Sequence, residues 1–193
     1  MPDGERQDDL TLLLRTAAGE RRAFDALVTR HQGAVMAVTR ALTRDEAAAE
    51  DAFQDALLAA YRNATKFRGE SSVKTWIISI ARNAALRQGR RQVGEPARFD
   101  DLGALGALAG WGDPEQTPEA AAARAEERDR VWRALATLPE PDREVLALRD
   151  LAGLDGPEAA AALGLTVAAM KTRLHRSRLR LMAALSRGGG HGA

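Results

Sequence analysis

The chain has 193 residues, room for one medium domain or two small ones, with a formal net charge of +1 and only 4% aromatic residues. Much of its apolar content is alanine, which favours helix, and the β-branched and aromatic enrichment of sheets is missing, so the composition predicts an all-α fold. The near-neutral total excludes a uniformly basic polyanion binder, and the absence of cysteine excludes disulfides and thiolate metal sites.

His31, His175 and His191 are too dispersed to predict a zinc site, and no metal or other cofactor is expected. The N-terminal MPDGERQDDL is polar and acidic, unlike a signal peptide. No apolar run approaches membrane-spanning length, and the expected location is the cytoplasm.

A first helical block is expected over 9–91. Phe24, Leu27, Val28, Val35 and Val38 recur at the spacing of a core-facing helical stripe. A second helix is expected over 44–62, with Ala48, Ala52, Ala56 and Ala60 along one small-residue face. Asp51, Gln54 and Asp55, three and four apart, share a face opposite much of that alanine row. The stretch from Asp45 to Asp55 holds five acids and no base. Such a face is either solvated surface or a docking surface for a basic partner, and its sign argues against phosphate binding.

Residues 67–72 read as a loop by composition. A third helix follows over 73–88, with Ile77, Ile80, Ala81 and Ala84 inward and Asn83, Arg87 and Arg90 sharing another face. With Arg68, Ser71, Ser72 and Lys74 of the loop, these residues make a candidate groove for a nucleic-acid backbone. Trp76, just before Ile77 and Ile80, reads as a core tryptophan rather than a base-stacking platform. From 92 to 117 the periodicity dissolves among glycines and prolines, as expected of a flexible interdomain linker.

Helix resumes at Pro118. In LPEPDREVLALRDLAGLDGPEAAAALGLTVAAMKTRLHRSRLRL, Pro141 opens one helix, Gly153 and Gly156 break it, and Pro157 with Glu158 starts the next. Leu163-Gly164-Leu165 reads as a tight turn with glycine as the C-cap, and Thr166 as the N-cap of a third helix without a capping box. Two short helices joined by a glycine turn are a helix-turn-helix, whose second helix enters the DNA major groove. From Pro157 onward six Lys or Arg stand against the single acid Glu158, five of them (Lys171, Arg173, Arg176, Arg178 and Arg180) on that second helix. Val167, Met170 and Leu174 are expected to face inward, and Lys171, Thr172, His175 and Arg176 outward. Small Ala168 allows close approach to base edges, and Lys or Arg reads guanine O6 and N7.

The stretch AEDAFQDALLAAYRNATKFRGESSVKTWIISIARNAALRQGRR resembles region 2, and LATLPEPDREVLALRDLAGLDGPEAAAALGLTVAAMKTRLHRSRLRL resembles region 4, of the extracytoplasmic-function (ECF) sigma factors. These are the two-domain branch of the sigma-70 family of bacterial transcription initiation factors. The resemblance implies two small helical domains: region 2 over 9–91, a linker over 92–117, region 4 over 118–187 and a glycine-rich tail over 188–193. It implies a subunit that binds core RNA polymerase and directs promoter recognition and melting, not an enzyme, and with no small-molecule substrate. Asp51, Gln54 and Asp55 fall where the family docks on the β′ clamp helices. Arg68, Ser71, Ser72, Lys74, Asn83 and Arg87 fall where it recognises and melts the −10 element. Lys171, Thr172, His175 and Arg176 fall where it reads the −35 element. Region 4 also contacts the β flap, and members of this kind are commonly held by an anti-sigma factor.

One departure bears on a helix start: Gly156-Pro157 stands where the family has a polar pair. Two other classes fit less well. An ordinary helix-turn-helix repressor gives the acidic face and the arginine-bearing helix no purpose. An enzyme needs clustered carboxylates or a nucleophile beside a base, and the acids here have no such companion.

Overall fold

The computed structural model describes residues 3–91 and 118–188, so the expected linker and most of the expected tail lie outside the described residues. Within those residues no strand occurs. The N-terminal group comprises α1 (Asp3–Ala17), α2 (Arg21–Leu42), α3 (Glu46–Asn63), a 3₁₀ turn (Ala64–Lys66) and α4 (Val73–Arg91). The C-terminal group comprises α5 (Pro118–Ala136), α6 (Glu140–Leu146) with a π turn (Ala147–Leu151), α7 (Gly156–Leu163) and α8 (Val167–Gly188).

Helix α2 is central to the first group. Leu27, Val35 and Val38 of the expected stripe are buried, while Phe24 and Val28 are only half-buried. His31 is buried on the same side, where its Nε2 lies 2.7 Å from Asp9 Oδ2 of α1. Asp9 also pairs with Arg30, so the carboxylate that enters the core is neutralised there. In α3, Asp45 caps the helix by accepting from Ala48 N at 2.7 Å. Ala48, Ala52, Ala56 and Ala60 are each 1% exposed. A row of methyl groups lets helix axes approach closely, which is how α2, α3 and α4 form a tight bundle from few large side chains. Ile77, Ala81 and Ala84 of α4 are buried as expected, and Ile80 is half-buried. Trp76 is half-buried and packs against the core with its ring edge-on to Phe67, centroids 5.5 Å apart.

In the second group, Asp155 caps α7 and accepts from Glu158 N at 2.8 Å, while Glu158 accepts from Asp155 N at 3.0 Å. This capping box starts the helix at Gly156, with Gly156-Pro157 in place of the polar pair. Gly164, at φ +65°, closes α7 in the left-handed conformation that glycine adopts without strain. Thr166 then caps α8 by accepting from Ala169 N at 3.2 Å. Val167 departs from expectation: it is 38% exposed, and the inward stripe is Met170, Leu174 and Ser177. Val167 is the first residue of α8, where the chain has just turned out of α7 and packing begins only a turn later.

The two groups share one continuous hydrophobic cluster. The C-terminal turn of α2 meets α6, where Arg143 donates to the Ala41 and Thr43 carbonyls at 3.4 Å each. Arg40 stacks over Trp132 of α5 at 5.0 Å. Mutual packing of the two groups is not legible in the sequence pattern.

If the alanine row sets helix spacing, Ala56→Leu should cost about 1–3 kcal/mol by overpacking. Leu58→Ala, at a side chain 46% exposed, should stay within about 0.5 kcal/mol. Urea unfolding of both variants measures the contrast.

Candidate nucleic-acid and protein interfaces

The acidic face of α3 survives folding in reduced form. Asp45 is consumed as a cap and Glu46 pairs with Arg40 at 3.2 Å. Asp51, Gln54 and Asp55 remain exposed together, as expected, with Glu50 beside them. Asp51 accepts from Gln88 Nε2 of α4 at 3.1 Å, which ties the face to the neighbouring helix without neutralising it.

The loop between the 3₁₀ turn and α4 positions its polar groups by local chemistry. Ser72 Oγ caps α4, accepting from Thr75 N at 3.1 Å. Gly69, at φ +73°, makes the bend that carries Arg68 and Glu70 into solvent, where they form a loose 3.6 Å pair. Exposed pairs of this kind hold a side chain only weakly, so Arg68 stays available. Phe67, Ser71, Ser72 and Lys74 line a hollow of about 310 Å³ that Asp9, Gly153 and Glu158 also border. Asn83 and Arg87 are exposed on α4, roughly 13 and 20 Å along the axis from Lys74 at ~1.5 Å per residue. The candidate groove is therefore two places on one helix rather than one pocket. Arg82, between them, is engaged: its Nε donates to Glu144 Oε2 of α6 at 2.7 Å.

On α8 the structure separates cations that the sequence presents as one basic run. Arg178 is bound to Asp150, with Nε–Oδ2 at 2.9 Å, and Arg180 to Asp142. Lys171, Thr172, His175 and Arg176 are all exposed, and none of the described acids pairs with the three basic side chains. Thr172 donates its hydroxyl to Ala168 O at 3.0 Å, leaving its oxygen lone pairs and methyl group outward. The four expected recognition residues thus form one free face on the N-terminal half of α8.

Sequence reasoning missed what holds that helix. Asp142, in the first turn of α6, is buried and accepts from Ser177 Oγ at 2.8 Å and from Arg180. Burial pushes its pKa up, but the hydrogen bonds from Arg180 and Ser177 together outweigh it and hold the carboxyl below the usual range. A carboxylate in a helix first turn is visible in sequence, but its pairing with a serine 35 positions away is not. Also missed was an apolar groove of about 450 Å³ between α5, the π turn and α8, with Val131, Trp132, Leu135, Leu151 and Leu181 in its walls and Arg124 and Arg128 also lining it.

Asp142 is a group whose folded pKa is depressed. Its contribution is complete above the ordinary value of about 4 and is lost as pH falls through the lower folded value. Asp142→Asn should cost about 1–2 kcal/mol near neutrality and flatten the fall in stability below about pH 4. Thermal melts from pH 7 to pH 2 test this, and an unaltered acid slope in the variant would exclude the clamp.

Two family models match the chain, sigma-70 region 2 over residues 27–95 and sigma-70 region 4 over residues 128–181. The ECF RNA polymerase sigma factor SigM of Mycobacterium tuberculosis is 33% identical over 176 residues, covering 91% of this chain and 83% of that protein. The RNA polymerase sigma factor CnrH of Cupriavidus metallidurans is 34% identical over 179 residues, 92% of this chain and 94% of that protein. The structure of CnrH in complex with the cytosolic domain of CnrY superposes with a TM-score of 0.69 over 93% of this chain and 98% of that one, at 29% identity. The sigma factor RpoE of Bartonella quintana, solved with the anti-sigma factor NepR, shares the fold at a TM-score of 0.65 and 23% identity, over 84% of this chain and 96% of that one.

Proposed function

Given that the chain belongs to the ECF sigma factors of the sigma-70 family, we propose that its three exposed side-chain sets divide polymerase docking and promoter reading among them. The protein is a sigma factor: it binds core RNA polymerase and promoter DNA and directs transcription initiation.

In the proposed division, Asp51, Gln54 and Asp55 dock on the β′ clamp helices. Arg68, Ser71, Ser72 and Lys74, with Asn83 and Arg87, engage the −10 element and its melted strand. Lys171, Thr172, His175 and Arg176 read the −35 element. The observation that carries this reading is the sorting of charge by pairing. The protein's own acids neutralise Arg178 and Arg180 but leave the three basic side chains of the outward face without a described partner. A cation already bound to a carboxylate must break that bond to reach a phosphate or a base, and a free one need not. The apolar groove around Trp132 offers region 4 a surface for the β flap. An anti-sigma factor belongs to the proposal as a further partner, since RpoE, of the same fold, is seen bound by one. The work is that of a binding subunit rather than a catalyst. No helix among the described residues is long and apolar enough to cross a membrane, and a task on polymerase and promoter belongs to the cytoplasm.

Reversing the docking face should put like charges opposite the basic polymerase surface, a cost of several kcal/mol. Asp51→Lys/Asp55→Lys should fold normally, because both positions are exposed, and bind core polymerase on the order of a thousandfold more weakly. Full affinity in a well-folded variant would remove the assignment.

At the upstream element, Lys171→Ala and Arg176→Ala are to be assayed by run-off transcription on templates that vary the −35 element at fixed −10. A base contact is worth about 1–3 kcal/mol and shows as relaxed preference at one position. A phosphate contact weakens all templates alike and lowers the salt slope by about one. At least one of the two variants should show the first pattern. Uniform loss in both would mean that this face positions DNA without reading it.

A further inference from the structure

A basic hollow of about 570 Å³ lies between the end of α5 and the last turns of α8. Its rim carries Arg130 and Arg133 of α5 and Arg187 of α8, and its floor is Ala134, Ala184 and Leu185. All three arginines are exposed, and no carboxylate among the described residues lines the hollow or pairs with any of them. Arg133 spends only its Nε, on the Asp129 carbonyl at 3.3 Å, which leaves both terminal nitrogens of its guanidinium outward. Ala134 is buried, and Ala184 and Leu185 are half-buried, so the floor is apolar. The hollow shares no lining residue with the groove around Trp132. Arg187 also stands well beyond Arg176 on α8, ~16 Å along the axis at ~1.5 Å per residue. A major groove is only ~12 Å wide. Neither the proposed flap contact nor base reading uses this surface.

We infer that this hollow docks an acidic amphipathic helix of another protein, its apolar stripe on the alanine and leucine floor and its carboxylates on the three arginines. Charge selects the sign of the partner, since the rim holds three cations and no acid. The floor selects its class. A phosphodiester chain gains nothing from Ala134, Ala184 and Leu185, whereas an apolar side chain laid on them leaves water. Each guanidinium fork accepts a carboxylate through two parallel hydrogen bonds, and its aliphatic stem extends the apolar contact. Apolar centre and arginine-bearing rim are the anatomy of a protein interface. The α5 side of the hollow runs from 130 to 137, about two turns, the reach over which a docked helix sets side chains at i, i+3, i+4 and i+7. Because the surface is separate from the Trp132 groove and from the outward face of α8, the partner binds in addition to polymerase and promoter.

The probe is a fluorescent synthetic helix of about 14 residues with a leucine stripe flanked by glutamates and alanine elsewhere, titrated into the whole chain and followed by anisotropy. A control peptide has the same composition in an order that forms no stripe. The striped peptide should bind, and the control should bind at least tenfold more weakly. Arg130→Gln/Arg133→Gln should fold normally, because both side chains are exposed, and should lose on the order of tenfold in affinity for the striped peptide. The same variant should bind a mixed-sequence DNA duplex as the unaltered chain does, with an unchanged salt slope. No binding of the striped peptide, or equal binding of the two peptides, would overturn the inference. So would peptide binding that the double variant leaves intact, which would put the peptide elsewhere. A salt slope on duplex lowered by about two in the variant would make the hollow part of the DNA footprint and would equally overturn it.

Discussion

The seam at the C-terminal end of α2 is the contact on which the arrangement of this molecule depends. Upstream, the stripe Leu27, Val35 and Val38 gathers α1, α3 and α4 into one bundle. At its last turn the helix presents carbonyl oxygens with no partner inside the helix, and Arg143 arrives from α6 to meet them. Burial drives the pKa of Arg143 down, so the guanidinium is held there at some expense in solvation. The same seam carries Arg40 over Trp132 and Arg82 on Glu144. An interface that sets buried and half-buried charge beside its apolar cluster is more polar than a permanent core, as contacts between domains are. Water can replace each of these polar bonds when the halves part.

Function then follows from where the protein spends its own charges. Acids that could have formed one broad negative face on α3 are divided between capping, pairing and the exposed set proposed for docking. Bases that could have formed one broad positive helix are divided between Arg178 and Arg180, which fasten α8 to its domain, and Lys171, His175 and Arg176, which face outward. The Asp142–Ser177–Arg180 cluster connects the two roles: a buried carboxylate near the start of α6 fixes the pitch at which α8 offers its free half. A recognition helix that could roll about its axis would lose the register between side chains and base edges.

Much of this was legible in the sequence. Periodicity marked α2, α3, α4 and the three helices of the helix-turn-helix, and turn chemistry at Gly164 and Thr166 placed their ends within a residue or two. Exposure of Asp51, Gln54 and Asp55, and of Lys171, Thr172, His175 and Arg176, followed from helical spacing alone. Val167 was misplaced because periodicity has no knowledge of where packing begins at a helix end. The Asp9–His31 pair, the Asp142 clamp and the 2.8 Å hydrogen bond from Ser72 Oγ to Glu158 Oε1 were invisible for a common reason. Each joins residues that only the tertiary fold brings together, and neither partner has an unusual local pattern. Glu158 illustrates the limit well: from sequence it is an acid in a helix first turn, and only the fold shows its second oxygen turned toward another domain.

The central claim is that one chain holds its two promoter-reading surfaces together when free and far apart when at work. The chain has no cysteine, so spin labels can be placed uniquely at Lys66→Cys in the first group and at Met182→Cys, 62% exposed, in the second. The distance distribution between them is to be measured in the free protein, on core polymerase, and on core polymerase with promoter DNA. The account predicts one narrow distribution in the free chain and its replacement by distances several tens of ångströms longer in the promoter complex. A free chain that already shows the long distances, or a complex that keeps the short ones, would contradict it.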